Sequence, residues 1–152
     1  MIRTATAHDL KRLKELYWLL DGDAIHYQPE HFLQSQRPDD FLLDLIEGDK
    51  SDFLLLEADN KVIGFSLIME KDPSTISCLK KERYGYILDF VIDEGYRSMG
   101  YGAKLLDASK QWAKDRQLDF LRLSVFPKNE RGIAFYKRHG LTEKMKTMEM
   151  DL

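Results

Sequence analysis

The sequence predicts a single α/β domain organised around one parallel strand crossover. An apolar run at Tyr84–Ile92, a helical pattern at Ala103–Arg116 and a second apolar run at Phe120–Val125 read as strand, helix and strand. That succession within about forty residues is a βαβ unit, whose two strands lie parallel with a right-handed crossover. Upstream, Phe53–Glu57 and Val62–Met69 flank Asp59-Asn60, a hairpin turn signal. The 152 residues, 43% hydrophobic and 32% charged, suffice for one buried core and have a soluble globular composition, with no internal repeat, low-complexity tract or linker.

In chain order, Ile2–Ala5 is a short strand, and Thr6-x-x-Asp9 resembles a capping box ahead of a helix whose Leu10, Leu13, Tyr17 and Leu20 share one face. That helix is expected to end near Asp21-Gly22, where glycine breaks the pattern. A polar segment with His26, Tyr27, Pro29, His31 and Phe32 follows, and Pro38-Asp39-Asp40 opens a second helix carrying Phe41, Leu42, Leu45 and Ile46. In the crossover helix Leu106, Trp112 and Ala113 turn toward the sheet. Asn129 caps a last helix that ends at Gly140, and Met148, Met150 and Leu152 alternate with Glu149 and Asp151 as a half-buried strand.

Composition narrows the function. No apolar stretch approaches membrane-spanning length and Met1-Ile2-Arg3-Thr4 has no signal-peptide pattern, so a cytoplasmic protein with no membrane association is expected. Cys78, the single cysteine, stands in a polar stretch and reads as incidental. No His or Cys pair has ligand spacing supported by a third partner, so no metal site is expected; the aromatics do not follow a basic stripe, so no nucleic acid is expected; and no serine stands in a G-x-S-x-G elbow. Charge is divided unevenly: residues 1–95 carry a net −8 and residues 96–152 a net +5. This division suits an anionic cofactor on the basic half and a cationic acceptor near Asp21, Asp23, Glu30, Asp39, Asp40 and Asp44.

The most informative segment is Arg97-Ser98-Met99-Gly100-Tyr101-Gly102, at the junction of the Tyr84–Ile92 strand and the following helix. Two glycines there let the backbone curl so that N–H groups converge, and the helix dipole adds partial positive charge, which suits phosphate. It is no dinucleotide fingerprint, since Leu105 stands where the third glycine belongs, and no Walker A loop, since no Gly-Lys-Ser/Thr follows. The segment resembles the [Arg/Gln]-x-x-Gly-x-[Gly/Ala] acyl-CoA loop of the GNAT N-acetyltransferases. Asp89-Phe90-Val91-Ile92-Asp93-Glu94-Gly95-Tyr96-Arg97 resembles that family's fourth strand, and Asn129 with Phe135-Tyr136-Lys137-Arg138-His139-Gly140-Leu141 its N…FYxxxGF element. The motif-bearing part spans about residues 84 to 142.

The resemblance implies a mixed, largely antiparallel sheet with one parallel βαβ crossover and a splayed central strand pair, and acetyl-CoA as co-substrate. The Phe90, Val91 and Ile92 segment would meet its pantetheine arm, and N–H groups from Ser98, Met99, Gly100, Tyr101, Gly102 and Ala103 its pyrophosphate. Asn129 and Tyr136 complete the cofactor side. Arg97 has two roles open, to contact phosphate or to hold the loop. The family also allows a homodimer.

Acetyl transfer to an amine needs a donor for the carbonyl oxygen, an acid for the leaving thiolate and a base for the amine. A backbone N–H between Phe90 and Ile92 meets the first demand. Tyr136 is the acid by position in the motif, because a phenol of pKa near 10 is protonated at neutral pH. Asp89, a carboxylate interrupting an apolar strand, is the candidate base; the alternative is a structural Asp89 with a water chain moving the proton. Polyamine-acetylating relatives carry Glu-Asp where this chain has Leu88-Asp89. His26 and His31 border the same region, while His8 and His139 sit at helix ends. The acceptor is a small-molecule or peptide amine; the other reading is a CoA-binding or partner-binding module that has kept the fold without the chemistry.

Overall fold

The computed structural model describes all of residues 1–152. A five-stranded sheet runs in the order β1 (Ile2–Thr4), β2 (Ser51–Ala58), β3 (Lys61–Lys71), β4 (Tyr84–Ile92) and β5 (Phe120–Leu123). The first three pairings are antiparallel and β4 with β5 is parallel. Asp59 and Asn60 both take positive φ, the turn geometry that joins β2 to β3 with the right-handed twist of a hairpin.

Helices cover both faces. The helices α1 (Leu10–Tyr27) and α2 (Asp39–Glu47) pack Leu13, Leu16, Tyr17 and Leu42 against Phe53, Leu55, Phe65, Leu67 and Val91. On the other face, α3 (Tyr101–Asp115) sets Leu105 and Leu106 against Leu54, Leu56, Ile63, Ile68 and Ile87, and the half-buried side chains of α4 (Glu130–Arg138) join them. The alternation along β2, with Phe53 and Leu55 on one face and Leu54 and Leu56 on the other, reflects a strand buried on both sides.

The capping box forms: the Thr6 hydroxyl accepts from His8 N–H, the Asp9 carboxylate accepts from Thr6 N–H at 2.8 Å, and the Arg3 guanidinium grips both Asp9 oxygens. Three expectations are corrected. α1 does not stop at Asp21-Gly22 but continues through Tyr27, which puts His26 and Tyr27 in its last turn. Asp21 is buried and bonded across to a neighbouring segment, and tertiary packing of the helix outweighs the roughly 1 kcal/mol that an internal glycine costs. The alternating C-terminal segment forms no strand; Met148 and Met150 are 92% and 82% exposed. A strand needs a neighbouring strand, and the segment meets none within the chain. β5 also stops at Leu123, short of Val125.

Candidate active site

β4 and β5 stay paired only from Tyr84–Phe120 to Ile87–Leu123, whereas β4 runs on to Ile92. The outer edge of Leu88–Ile92 therefore has no strand beside it, and the sheet opens between its two faces. The loop that follows β4 closes one end of this opening. Gly100 takes φ of +85°, a conformation costly for any residue with a Cβ, and a Cβ there would meet no atom within 4 Å. No side chain caps α3 at Gly100, so its first N–H groups have no side-chain acceptor. Free N–H groups at a helix start suit an anionic group. Ser98 also takes a positive φ, of 64°, and the Met99 side chain stands out into solvent.

The Arg97 side chain bonds within the protein. Nε donates to the Ile92 carbonyl at 2.8 Å and Nη2 to Asp23 on α1 at 3.0 Å, which ties the loop to the end of β4 and to the first helix.

Opposite the loop, a β-bulge decides where Asp89 points. Leu67 pairs with Asp89 and Ile68 with Ile87, so Leu88 is the extra residue and lies exposed. The bulge inverts the alternation: Ile87 packs toward α3, while Asp89 turns toward α1. There the Tyr17 hydroxyl donates to Asp89 Oδ2 at 2.7 Å. Burial raises the Asp89 pKa above the ordinary carboxylate range, against the lowering effects of Tyr17 and of the Arg37 charge. Burial and the neighbouring carboxylate push the Tyr17 phenol far up, which keeps it the donor. Arg37 stacks 4.4 Å from the Tyr17 ring centroid and grips both oxygens of buried Asp21 at 2.7 Å, and Ser35 N–H donates to the same carboxylate. Tyr17 and Arg37 are not among the site residues expected from the sequence, and Asp21, expected on the acidic acceptor side, is instead paired with Arg37. The signal for Tyr17 was its place four residues before Asp21 on one apolar helix face; for Arg37, in an irregular segment, there was none.

From the α3 side, α4 brings Tyr136 and Phe135 against Phe90, with ring centroids 6.1 and 6.3 Å apart. The Tyr136 pKa is pushed up to about 12, and burial is its cause. Asn129 holds the start of this helix, its Oδ1 accepting from Gly132 N–H at 2.9 Å. A Cβ on Gly132 would fall 2.5 Å from the Asn129 amide, so glycine at that helical position preserves the cap. Phe126, after β5, packs on Tyr27 and Phe32 and so brings the segment after α1 to the same opening.

Other expected groups lie elsewhere. Asp21, Asp23 and Asp39 are paired with Arg37, Arg97 and Lys14, so the acidic cluster read from the sequence is half neutralised by the fold. His26 stacks on Tyr27, and His31 bonds Glu149, which raises its pKa. Cys78 is exposed and unpaired. No helix is long and apolar enough to cross a membrane.

Comparison with known proteins agrees with this architecture. The model of the Acetyltransferase (GNAT) family matches residues 11–141, and the chain belongs to that family. It is similar to an uncharacterized N-acetyltransferase of Methanocaldococcus jannaschii, 28% identical over 145 residues, covering 94% of this chain and 61% of the relative. A second uncharacterized N-acetyltransferase, of Archaeoglobus fulgidus, is 27% identical over 97 residues, 64% of each chain. The chain thus spans about three fifths of the length of these relatives. Among solved structures, a mutant protein from Bacillus halodurans superposes with a TM-score of 0.94 at 24% identity, over 100% of this chain and 99% of that one. An aminoglycoside N-acetyltransferase in complex with CoA superposes with a TM-score of 0.73 at 16% identity, over 100% and 93%. At these identities the likeness is one of fold.

Proposed function

We propose that the protein is an acetyl-CoA-dependent N-acetyltransferase in which a primary amine attacks directly while both substrates are bound. The observation that carries this reading is the opening between β4 and β5, with Asp89 on one face of β4 and Tyr136 against the other. Acetyl-CoA supplies an activated acetyl thioester. The Gly100 loop and the first turn of α3 hold its pyrophosphate with N–H groups and helix dipole. The free edge from Phe90 through Val91 to Ile92 pairs with the pantetheine amides, and an N–H of that segment donates to the carbonyl oxygen as charge develops on it.

The residues on the two faces divide the proton work. An amine of pKa near 10 arrives protonated at pH 7, and Asp89, its pKa raised by burial, is better matched to remove that proton than an exposed aspartate. Tyr17 aims the carboxylate and Arg37 aims Tyr17. On the far side Tyr136, with a pKa of about 12, remains protonated and donates to the departing sulfur. Asn129 fixes the helix that carries it. The acceptor, a small cationic or peptide amine, enters over the face built by α1 and the segment before α2, where Tyr27, Phe32 and Phe126 meet.

A panel of polyamines, aminoglycosides, amino acids and peptide amines incubated with acetyl-CoA tests this. Release of CoA thiol with an acetylated product of the expected mass is the predicted result for at least one amine class. Binding of CoA without thiol release across the whole panel would assign the protein instead to the binding-module reading.

A further inference from the structure

We infer that the acceptor is an elongated amine with a carboxylate at its far end, and that Arg122 reads this carboxylate on the uncovered part of the sheet; the inference rests on the acetyltransferase reading above. Side chains along a strand alternate between faces. Ile87, Leu121 and Leu123 turn toward α3. Tyr84, Tyr86, Phe120 and Arg122 therefore turn to the opposite face, the one to which the bulge brings Asp89. Helices α1 and α2 do not cover this part of it: their apolar cluster takes in Met69 and Val91 but none of the three rings. What remains is an open floor that runs from Asp89 past Tyr86 to Tyr84 and Phe120, whose rings stack 4.8 Å apart at 8°.

The charge on this floor is positive and unspent. The Arg122 guanidinium stands 4.8 Å from the Tyr84 ring centroid and 4.9 Å from that of Phe120. Arg3, Arg12, Arg37, Arg83, Arg97 and Arg116 are each paired with a carboxylate, whereas Arg122 is paired with none. Lys71, 5.8 Å from the Tyr86 ring centroid, is likewise unpaired. Nearby carboxylates are engaged elsewhere, Asp72 by Lys50 and Asp119 by the Arg83 N–H. An arginine held on two rings keeps its fork of donors in place, so a carboxylate can bind there at little ordering cost. Register sets the reach. Asp89 pairs with Leu67 and Tyr86 with Met69, two steps along β3, and Arg122 pairs with Tyr86. At about 3.3 Å per residue and about 4.8 Å between strands, Arg122 starts about 8 Å from Asp89, and its side chain leads on toward Tyr84 and Phe120, so the carboxylate is read on the order of 10 Å from the amine. An extended chain of about three residues spans that distance. A free α-amino acid is too short, and the aspartates that could draw a polyamine, Asp21, Asp23 and Asp39, are already paired.

Initial rates with trialanine and trialaninamide test this, because the two share an amine and differ only at the far end. KM for trialanine should be lower by at least about tenfold, the worth of a charge-assisted hydrogen bond. Arg122→Gln should bring the two values together, and Arg122→Lys, which keeps the charge but not the fork, should restore part of the gap. Equal KM values for the two tripeptides in the parent protein, or a gap that survives Arg122→Gln, would overturn the carboxylate subsite and leave acetyl transfer standing. Calorimetric titration of N-acetyltrialanine into the protein saturated with CoA reads the same subsite without turnover. Binding weakened at least about tenfold by Arg122→Gln supports the subsite even where no amine is acetylated, and binding that the substitution leaves unaltered overturns it. A change of oligomeric state in Arg122→Gln with the KM gap intact would give this face to a contact between copies instead.

Discussion

The Tyr17 hydroxyl lies 2.7 Å from Asp89 Oδ2, joining the first helix to the one carboxylate that the β4 bulge turns toward it. Seventy-two residues separate the pair in sequence. The bond sits where burial opposes ionisation, so the phenol partly offsets the cost of the carboxylate charge that the proposed reaction needs.

Tyr17→Phe removes that donor and leaves the ring packing in place. The Asp89 pKa should rise further, and the acid limb of kcat/KM should move to higher pH by about one unit, the equivalent of about 1.4 kcal/mol. A pH–rate profile of the two proteins with the same amine checks it; coincident profiles would separate Asp89 from the rate.

Asp89→Asn should lower kcat by about 10²- to 10⁴-fold if Asp89 is the base. Its stability should respond in the opposite sense. The native pKa of Asp89 is above its unfolded value, so its contribution is complete below the unfolded pKa and is lost as pH rises through the native one. The variant has no such loss. Its melting temperature relative to the parent protein should rise between acid and pH 8, as thermal melts at a series of pH values will show.

Tyr136→Phe should lower kcat by about 10- to 10⁴-fold with a modest change in KM for acetyl-CoA, because the hydroxyl acts on the departing sulfur and contributes little to ground-state binding. Steady-state kinetics at saturating amine measure both quantities. Equal turnover would reduce Tyr136 to an aromatic packing against Phe90.

Gly100→Asp places a carboxylate and an unfavourable positive φ at the phosphate concavity. CoA affinity by calorimetry should fall at least about tenfold, from like-charge repulsion and loop strain together. A folded variant with unchanged affinity would show that the loop does not hold the pyrophosphate.

Asp21→Asn should destabilise the protein by about 3 kcal/mol, since it leaves the Arg37 guanidinium without its paired carboxylate in a largely buried setting. Chemical denaturation reads this directly. Raised KM for the amine with unchanged stability would instead return Asp21 to the acidic acceptor rim expected from the charge distribution.

Local chemistry decided what was legible in the sequence. The capping box at Thr6 and Asp9, the Asp59-Asn60 turn, the βαβ unit and the Gly100 loop all depend on neighbours a few residues apart, and each formed as its residues predicted. Tertiary structure decided the rest. Gly22 lies inside α1 because packing outweighs its helix cost, and the Asp21, Asp23 and Asp39 charges are spent on Arg37, Arg97 and Lys14. The face taken by Asp89 depends on a bulge at Leu88 that exists only in the pairing of β4 with β3. The strand pattern of Met148, Met150 and Leu152 is a property of the sequence, but a strand requires a neighbour, and none stands beside that segment within one copy. Periodicity specifies which side chains share a face; only the folded sheet determines which face is covered and by what.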